Sequence, residues 1–173
     1  MKAKIISLLF ILIFLGGCAL PAGEFGKDYV QGLKYEYQGH YLKQAGITDY
    51  EQWRLYFESS YFTESIPYCE NARYLFTEAI NNFDRAYISY EKTYVFKNEL
   101  IPLKLEYLNL TKDITWNNYE ACEYYETASR HYANGNKEAG DIETEMANTK
   151  IREHDSMITK VSLLATRIEV LEE

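Results

Sequence analysis

Residues 67–90 read PYCENARYLFTEAINNFDRAYISY, and the spacing of their apolar positions decides the fold class. Cys69, Ala72, Phe76, Ala79, Phe83, Ala86 and Tyr90 follow one another in steps of three and four. That is a heptad, which keeps one helix face against its neighbours and predicts left-handed packing at about +20°. A strand would need alternation with period two, and no stretch of the chain carries it strongly enough to compete.

The same seam continues downstream. After a lapse over Tyr94 to Asn98, Asn98 and Pro102 mark a new helix start, and Leu103, Tyr107, Leu110, Ile114, Ala121, Tyr125 and Ala128 extend the pattern. Ala133-Asn134-Gly135-Asn136 is a stop, and a last helix is expected from Lys137 to Leu171, with a phase slip between its halves. Upstream, Asp28 begins a first helix through Val30, Leu33, Tyr37 and Tyr41, expected to end near Ala45-Gly46. Gly32 and Gly39 should weaken it by about 1 kcal/mol each relative to alanine. Thr48 with Glu51 has the arrangement of a capping box, opening a second helix that runs through Trp53 and kinks near Pro67, whose missing N–H breaks the ladder around Ser65. Scarce glycine and proline also favour long helices. The expected fold is all-α: an elongated antiparallel bundle of three to four long helices, about 50 Å from end to end.

Ahead of the bundle lies a different kind of sequence. Lys2 and Lys4 precede an uncharged apolar run from Ile5 to Phe14, and small residues then stand directly before Cys18. The run of about 13 residues is too short to span a membrane but has the layout of a cleavable export signal. Leu15-Gly16-Gly17-Cys18 resembles the lipobox of prokaryotic lipoproteins. The resemblance implies cleavage before Cys18 and a diacylglyceryl group on its thiol, a two-chain anchor strong enough to hold by itself. The expected organisation is a signal over 1–17, a tether over 18–27 and a helical domain over 28–173. The expected location is the outside of the cell membrane, or the outer membrane in a host with two. Ala19 stands where an aspartate would mark retention in the inner one.

Charge and cysteine count narrow the partners. The chain carries 18 basic and 26 acidic side chains, a net charge of −8, and two of the basic ones lie in the signal. So acidic a body disfavours nucleic acid and anionic lipid headgroups, which leaves the lipid as the membrane tie. Of three cysteines the lipid consumes Cys18; Cys69 and Cys122 remain as a pair. They lie symmetrically about the lapse near position 95, so an antiparallel hairpin brings them to one height. They can close a structural disulfide or stay as two buried thiols.

Other constellations have plainer readings. The motif Ala-x3-aromatic-x2-Ala, at Ala72/Phe76/Ala79, Ala79/Phe83/Ala86 and Ala121/Tyr125/Ala128, resembles the second helix of a tetratricopeptide repeat. The copies overlap or stand about 49 residues apart rather than 34, so the motif is assigned to close-packed bundle core. Glu120, Glu123 and Glu126 lack the Glu-x-x-His partners of a carboxylate metal centre and read as a solvated face. His154, on the seam of the last helix, reads as a hydrogen-bonded core residue. No metal, cofactor or catalytic residue is expected: the chain holds no phosphate loop, nucleophile elbow or zinc motif.

What stands out is tyrosine, seventeen against eight phenylalanines. Tyrosine buries a ring while keeping its hydroxyl wet, which suits a narrow bundle and also an interface. Tyr56, Phe57, Tyr61 and Phe62 cover too wide an arc to be all core, and together with Tyr124 and Tyr125 they form the expected partner surface. The function expected is a non-catalytic scaffold or protein-interaction module of the cell envelope. The alternative is a Tyr-lined groove that binds glycan or a small molecule.

Overall fold

A computed structural model describes residues 24–93 and 99–172. They form four helices: α1 (Glu24–Glu58), α2 (Phe62–Glu91), α3 (Leu100–Ala133) and α4 (Lys137–Glu172). No strand occurs among the described residues. The expected signal over 1–17, Cys18 and most of the expected tether lie outside them. α1 begins at Glu24, so its first turn occupies the stretch read as the end of the tether.

Each helix packs along the next, α1 on α2, α2 on α3 and α3 on α4, while α1 and α3 touch only lightly. The chain therefore runs up and down, and both ends of the described chain lie together. The turns at 59–61 and 134–136 form the opposite end, about 50 Å away by the length of a 35-residue helix. α1 and α4 meet through long side chains rather than by close approach of their backbones.

The expected break at Gly46 does not occur: α1 runs unbroken to Glu58. Its glycines are contact points. A Cβ added at Gly32 would lie 2.5 Å from Cε1 of Tyr90, at Gly39 2.6 Å from Cε1 of Phe83, and at Gly46 2.7 Å from Cε1 of Phe76. Three glycines seven residues apart on α1 thus receive three rings seven apart on α2, running in opposite directions. The next step of this register pairs Trp53 on α1 with Cys69 on α2, both in one core cluster, so the large and small partners exchange helices. Such alternation is what lets two helices approach closely without voids. Thr48 does not cap a helix either, because its hydroxyl donates back to the Gln44 carbonyl within α1.

The chain reverses at Ser59-Ser60-Tyr61, where Ser60 takes a left-handed φ of 64°. α2 starts at Phe62, and Pro67 is the sixth residue of a helix that continues to Glu91. The second helix therefore starts at Phe62 rather than near Thr48, and the ladder is not broken around Ser65, which lies within α2 with its N–H bonded to the Tyr61 carbonyl. At the 134–136 turn Gly135 takes φ 75°, and the Asn136 side chain accepts from the Ala139 N–H at the start of α4.

Two apolar cores lie along the rod. One, near the chain ends, gathers Tyr29, Phe83, Tyr90, Ile101, Leu108 and Leu164; the other gathers Trp53, Cys69, Phe76, Cys122, Tyr125 and Ala147. Polar residues of α3, the buried Thr111, Thr115 and Asn118, lie between them along the helix. There His154 of α4 meets Asn118, with Nδ1 2.6 Å from Oδ1.

Candidate functional site

The aromatic residues singled out in the sequence separate into two groups. Tyr56, Phe57, Tyr61 and Phe62 stand together because the turn at 59–61 folds the start of α2 against the end of α1. The Phe57 and Phe62 rings meet edge-on at 5.2 Å, and Tyr132 from the end of α3 stacks on Phe62 at 4.9 Å and meets Phe57 at 5.4 Å. Tyr56 stacks on Tyr68 at 5.2 Å and meets Tyr61 edge-on at 6.5 Å. Tyr61 is the most open of these rings, at 57% exposure. Tyr125 does not belong to this surface. It is buried, stacked on Trp53 at 4.1 Å, because α3 turns it into the seam toward α1. Tyr124 is half-buried against the same core.

The tip is tied rigidly to the core beneath it. Trp53 meets Phe57 at 4.8 Å, so rings pass without interruption from Tyr125 to the turn. Trp53 Nε1 donates to Ser129 Oγ at 3.1 Å; Ser129 and Ser65 hydroxyls are 2.9 Å apart, and Ser65 donates to the Phe62 carbonyl at 2.7 Å. This buried relay holds α1, α2 and α3 together immediately below the exposed rings. On α4, Gly140 leaves room for the Tyr132 ring, and the Tyr132 hydroxyl donates to Asp141 at 2.5 Å.

At the opposite end lies a buried charge cluster. Lys104 is only 2% exposed; its ammonium lies 2.8 Å from Glu172 and 3.4 Å from Glu36. Tyr29 donates to Glu172 at 2.8 Å and Tyr90 to Glu36 at 2.5 Å. Burial, and then the adjacent carboxylates, push both tyrosine hydroxyls up, so they remain donors. All four helices converge on one lysine here.

Farther along the α1 side, His40 shares a hydrogen bond with Tyr107 at 3.0 Å. Burial, reinforced by Lys43 and then Lys104, lowers its pKa to about 4, which keeps the ring neutral. Burial lowers Lys43 to about 8. The glutamates singled out on α3 are engaged in ion pairs. Glu123 and Glu126 bind Arg73 at 3.2 and 2.9 Å, and Glu120 binds Lys150 at 3.2 Å.

A second exposed aromatic cluster escaped sequence reasoning. Trp116, half exposed, stacks on Tyr119 at 5.1 Å with planes 15° apart, and the Arg73 guanidinium covers the Tyr119 ring at 4.9 Å. Tyr74 stands open beside them, and a groove of about 340 Å³ runs between Arg73, Tyr74, Thr77 and Tyr119. The available signal was that Trp116 lies off the α3 seam with Tyr119 three residues on, the spacing that brings side chains together on a helix surface.

In this structure Cys69 and Cys122 are unbridged, 0% and 1% exposed, and lie in the same core cluster. Burial, and then the neighbouring Cys122 thiol, push the Cys69 thiol up. Among the described residues, no helix is long and apolar enough to cross a membrane. Comparison with protein-family models, with curated proteins and with solved structures finds no match for the chain.

Proposed function

We propose that the protein is a lipid-anchored, extracytoplasmic and non-catalytic interaction module of the cell envelope. Diacylated Cys18 holds it to the membrane, and the helices act as a spacer. The observation that carries this reading is the topology. α1 begins only six residues after Cys18, and the ring cluster of Tyr56, Phe57, Tyr61, Phe62 and Tyr132 lies at the other end of the rod. The tip would therefore face away from the bilayer by about 50 Å, within reach of a protein partner. Aromatic rings fixed by packing contribute contact area at little entropic cost, which is why they dominate interface energetics. Pro67 lies inside α2 and cannot donate to the Thr63 carbonyl, and a bend there would set the angle of the tip. The acidic body keeps the rod off anionic headgroups and away from nucleic acid.

The test is site-specific photo-crosslinking in the native host, with the probe at Tyr61 and, as a control, at Tyr41 on the side of α1. A discrete adduct from position 61 alone is expected. Equal or absent adducts from both positions would sink the tip as a partner surface.

A glycan-binding reading is favoured by one observation, the open Trp116 face backed by Tyr119 and Arg73. Of the two tryptophans, Trp53 is buried and Trp116 exposed, so intrinsic fluorescence reports on this face. Quenching by soluble envelope-glycan fragments that is lost in Trp116→Phe would support it; unchanged fluorescence would count against it.

A further inference from the structure

Cys69 and Cys122 stand 53 positions apart in the chain, yet the α2–α3 hairpin brings them to one layer. Cross-helix hydrogen bonds bracket them on both sides. Four residues before Cys69, the Ser65 hydroxyl lies 2.9 Å from that of Ser129. Four residues after Cys69, Arg73 donates to the Tyr119 hydroxyl at 2.9 Å, and Tyr119 is three residues before Cys122. The side chains around the pair are small or flat: Ala72 and Ala121 adjoin it in the same core, which permits the close helix approach that a disulfide requires. Both thiols are sealed from solvent, so neither can reach a second chain.

We propose that in the mature protein Cys69 and Cys122 are joined by a disulfide that staples the central hairpin. The bond forms before the core closes, by exchange with the disulfide of an exported thiol–disulfide oxidoreductase. The first thiolate attacks that disulfide and displaces one of its thiols; the second then attacks the mixed disulfide and releases the other. The two cysteines lose two electrons and two protons, and the oxidoreductase disulfide becomes a dithiol. Oxidation suits an exported chain, and the inference rests on the export reading above. The bridge would close a loop that contains the whole α2–α3 connection, so its stabilising effect falls in the range for long loops.

The experiment is mass spectrometry of the full chain from the native host's membrane fraction, alkylated under denaturing conditions before and after reduction. The expected result is a lipid mass on Cys18, with Cys69 and Cys122 alkylated only after reduction. Reduction should also lower Tm by roughly 10 °C, as should Cys69→Ala/Cys122→Ala, and the double variant should no longer respond to reductant. Free thiols in a chain that carries the lipid overturn the bridge and leave the anchor standing. A bridge in a chain without the lipid supports the staple and overturns the anchor. Free thiols in a chain that retains residues 1–17 overturn both.

Discussion

Replacing Gly39 with alanine reverses the usual sign of a glycine-to-alanine change in a helix. In a helix interior the substitution ordinarily stabilises by about 1 kcal/mol, by removing backbone freedom from the unfolded chain. Here the new methyl would meet the Phe83 ring at 2.6, 2.7 and 3.0 Å, whereas carbon atoms rest at about 3.5–4.0 Å. The ring must recede by about 1 Å. It has little room to do so, since Phe83 is fully buried and the His40 ring stands edge-on at 5.0 Å. The helices cannot simply part either, because Gly32 on Tyr90 and Gly46 on Phe76 fix their separation one heptad to each side. Overpacking of this kind costs about 1–3 kcal/mol, and displacement of both flanking contacts carries it to the upper end. Net of the propensity gain, Gly39→Ala should destabilise by about 1–2 kcal/mol, a fall in Tm of roughly 5 °C for a domain of this size. Urea titration followed by far-UV circular dichroism measures it. The companion Phe83→Leu and the double variant complete a cycle, and a coupling of about 1 kcal/mol or more in favour of the double is expected. A rise in stability on Gly39→Ala, or strict additivity in the cycle, would refute the ring-on-glycine register.

Three further perturbations probe other parts of the molecule. Ser60→Gly should stabilise by about 1 kcal/mol in the same titration, since Ser60 holds φ 64° and glycine adopts that conformation without a Cβ clash. His40 is held near pKa 4 in the fold against 6.5 when unfolded, so as pH falls from 6.5 toward 4 the unfolded chain takes the proton first. Stability contributed by the neutral ring is present above pH 6.5 and lost through that window, by no more than about 3 kcal/mol, and His40→Gln should flatten this part of the stability–pH curve. Lys104→Met should cost about 2–4 kcal/mol, because it strands Glu36 and Glu172 beside Tyr90 and Tyr29 while removing the one cation they share. Hydrogen exchange should show the loss concentrated at the C-terminal end of α4, which this lysine ties to α1.

Much of the architecture was legible because helical periodicity is a local property. The seam from Cys69 to Tyr90, the stop at Asn134–Asn136 and the start of α4 at Lys137 all appear in the structure where the spacing put them. His154 proved to be a hydrogen-bonded partner of Asn118. The readings that failed were those in which a local rule met a non-local partner. Gly46 read as a helix end and Gly32 and Gly39 as defects, because propensity knows only the single chain. Facing Phe76, Tyr90 and Phe83 they become the positions that admit the second helix. The capping-box arrangement at Thr48 had the right letters, but α1 gained enough packing along α2 to continue through it.

The aromatic residues divide along the same line. Composition alone established that the chain is rich in amphipathic rings, and pattern alone that those near the 59–61 turn exceed what one helix face can bury. Which rings are core and which are surface depended on how the helices are rotated against one another. Tyr125 turned inward onto Trp53, Tyr132 closed the tip from α3, and Trp116 emerged on an outer face beside Arg73. By itself the sequence determined an all-helical fold, the net charge, the likeness of Leu15-Gly16-Gly17-Cys18 to a lipobox and most helix boundaries, since each follows from contiguous residues. The tertiary structure alone decided the glycine–ring register, the burial of Lys104 between two carboxylates and the meeting of Cys69 with Cys122. Each of these joins residues distant in the chain, and the energy of such contacts comes from close packing and desolvation, which exist only once the helices are side by side.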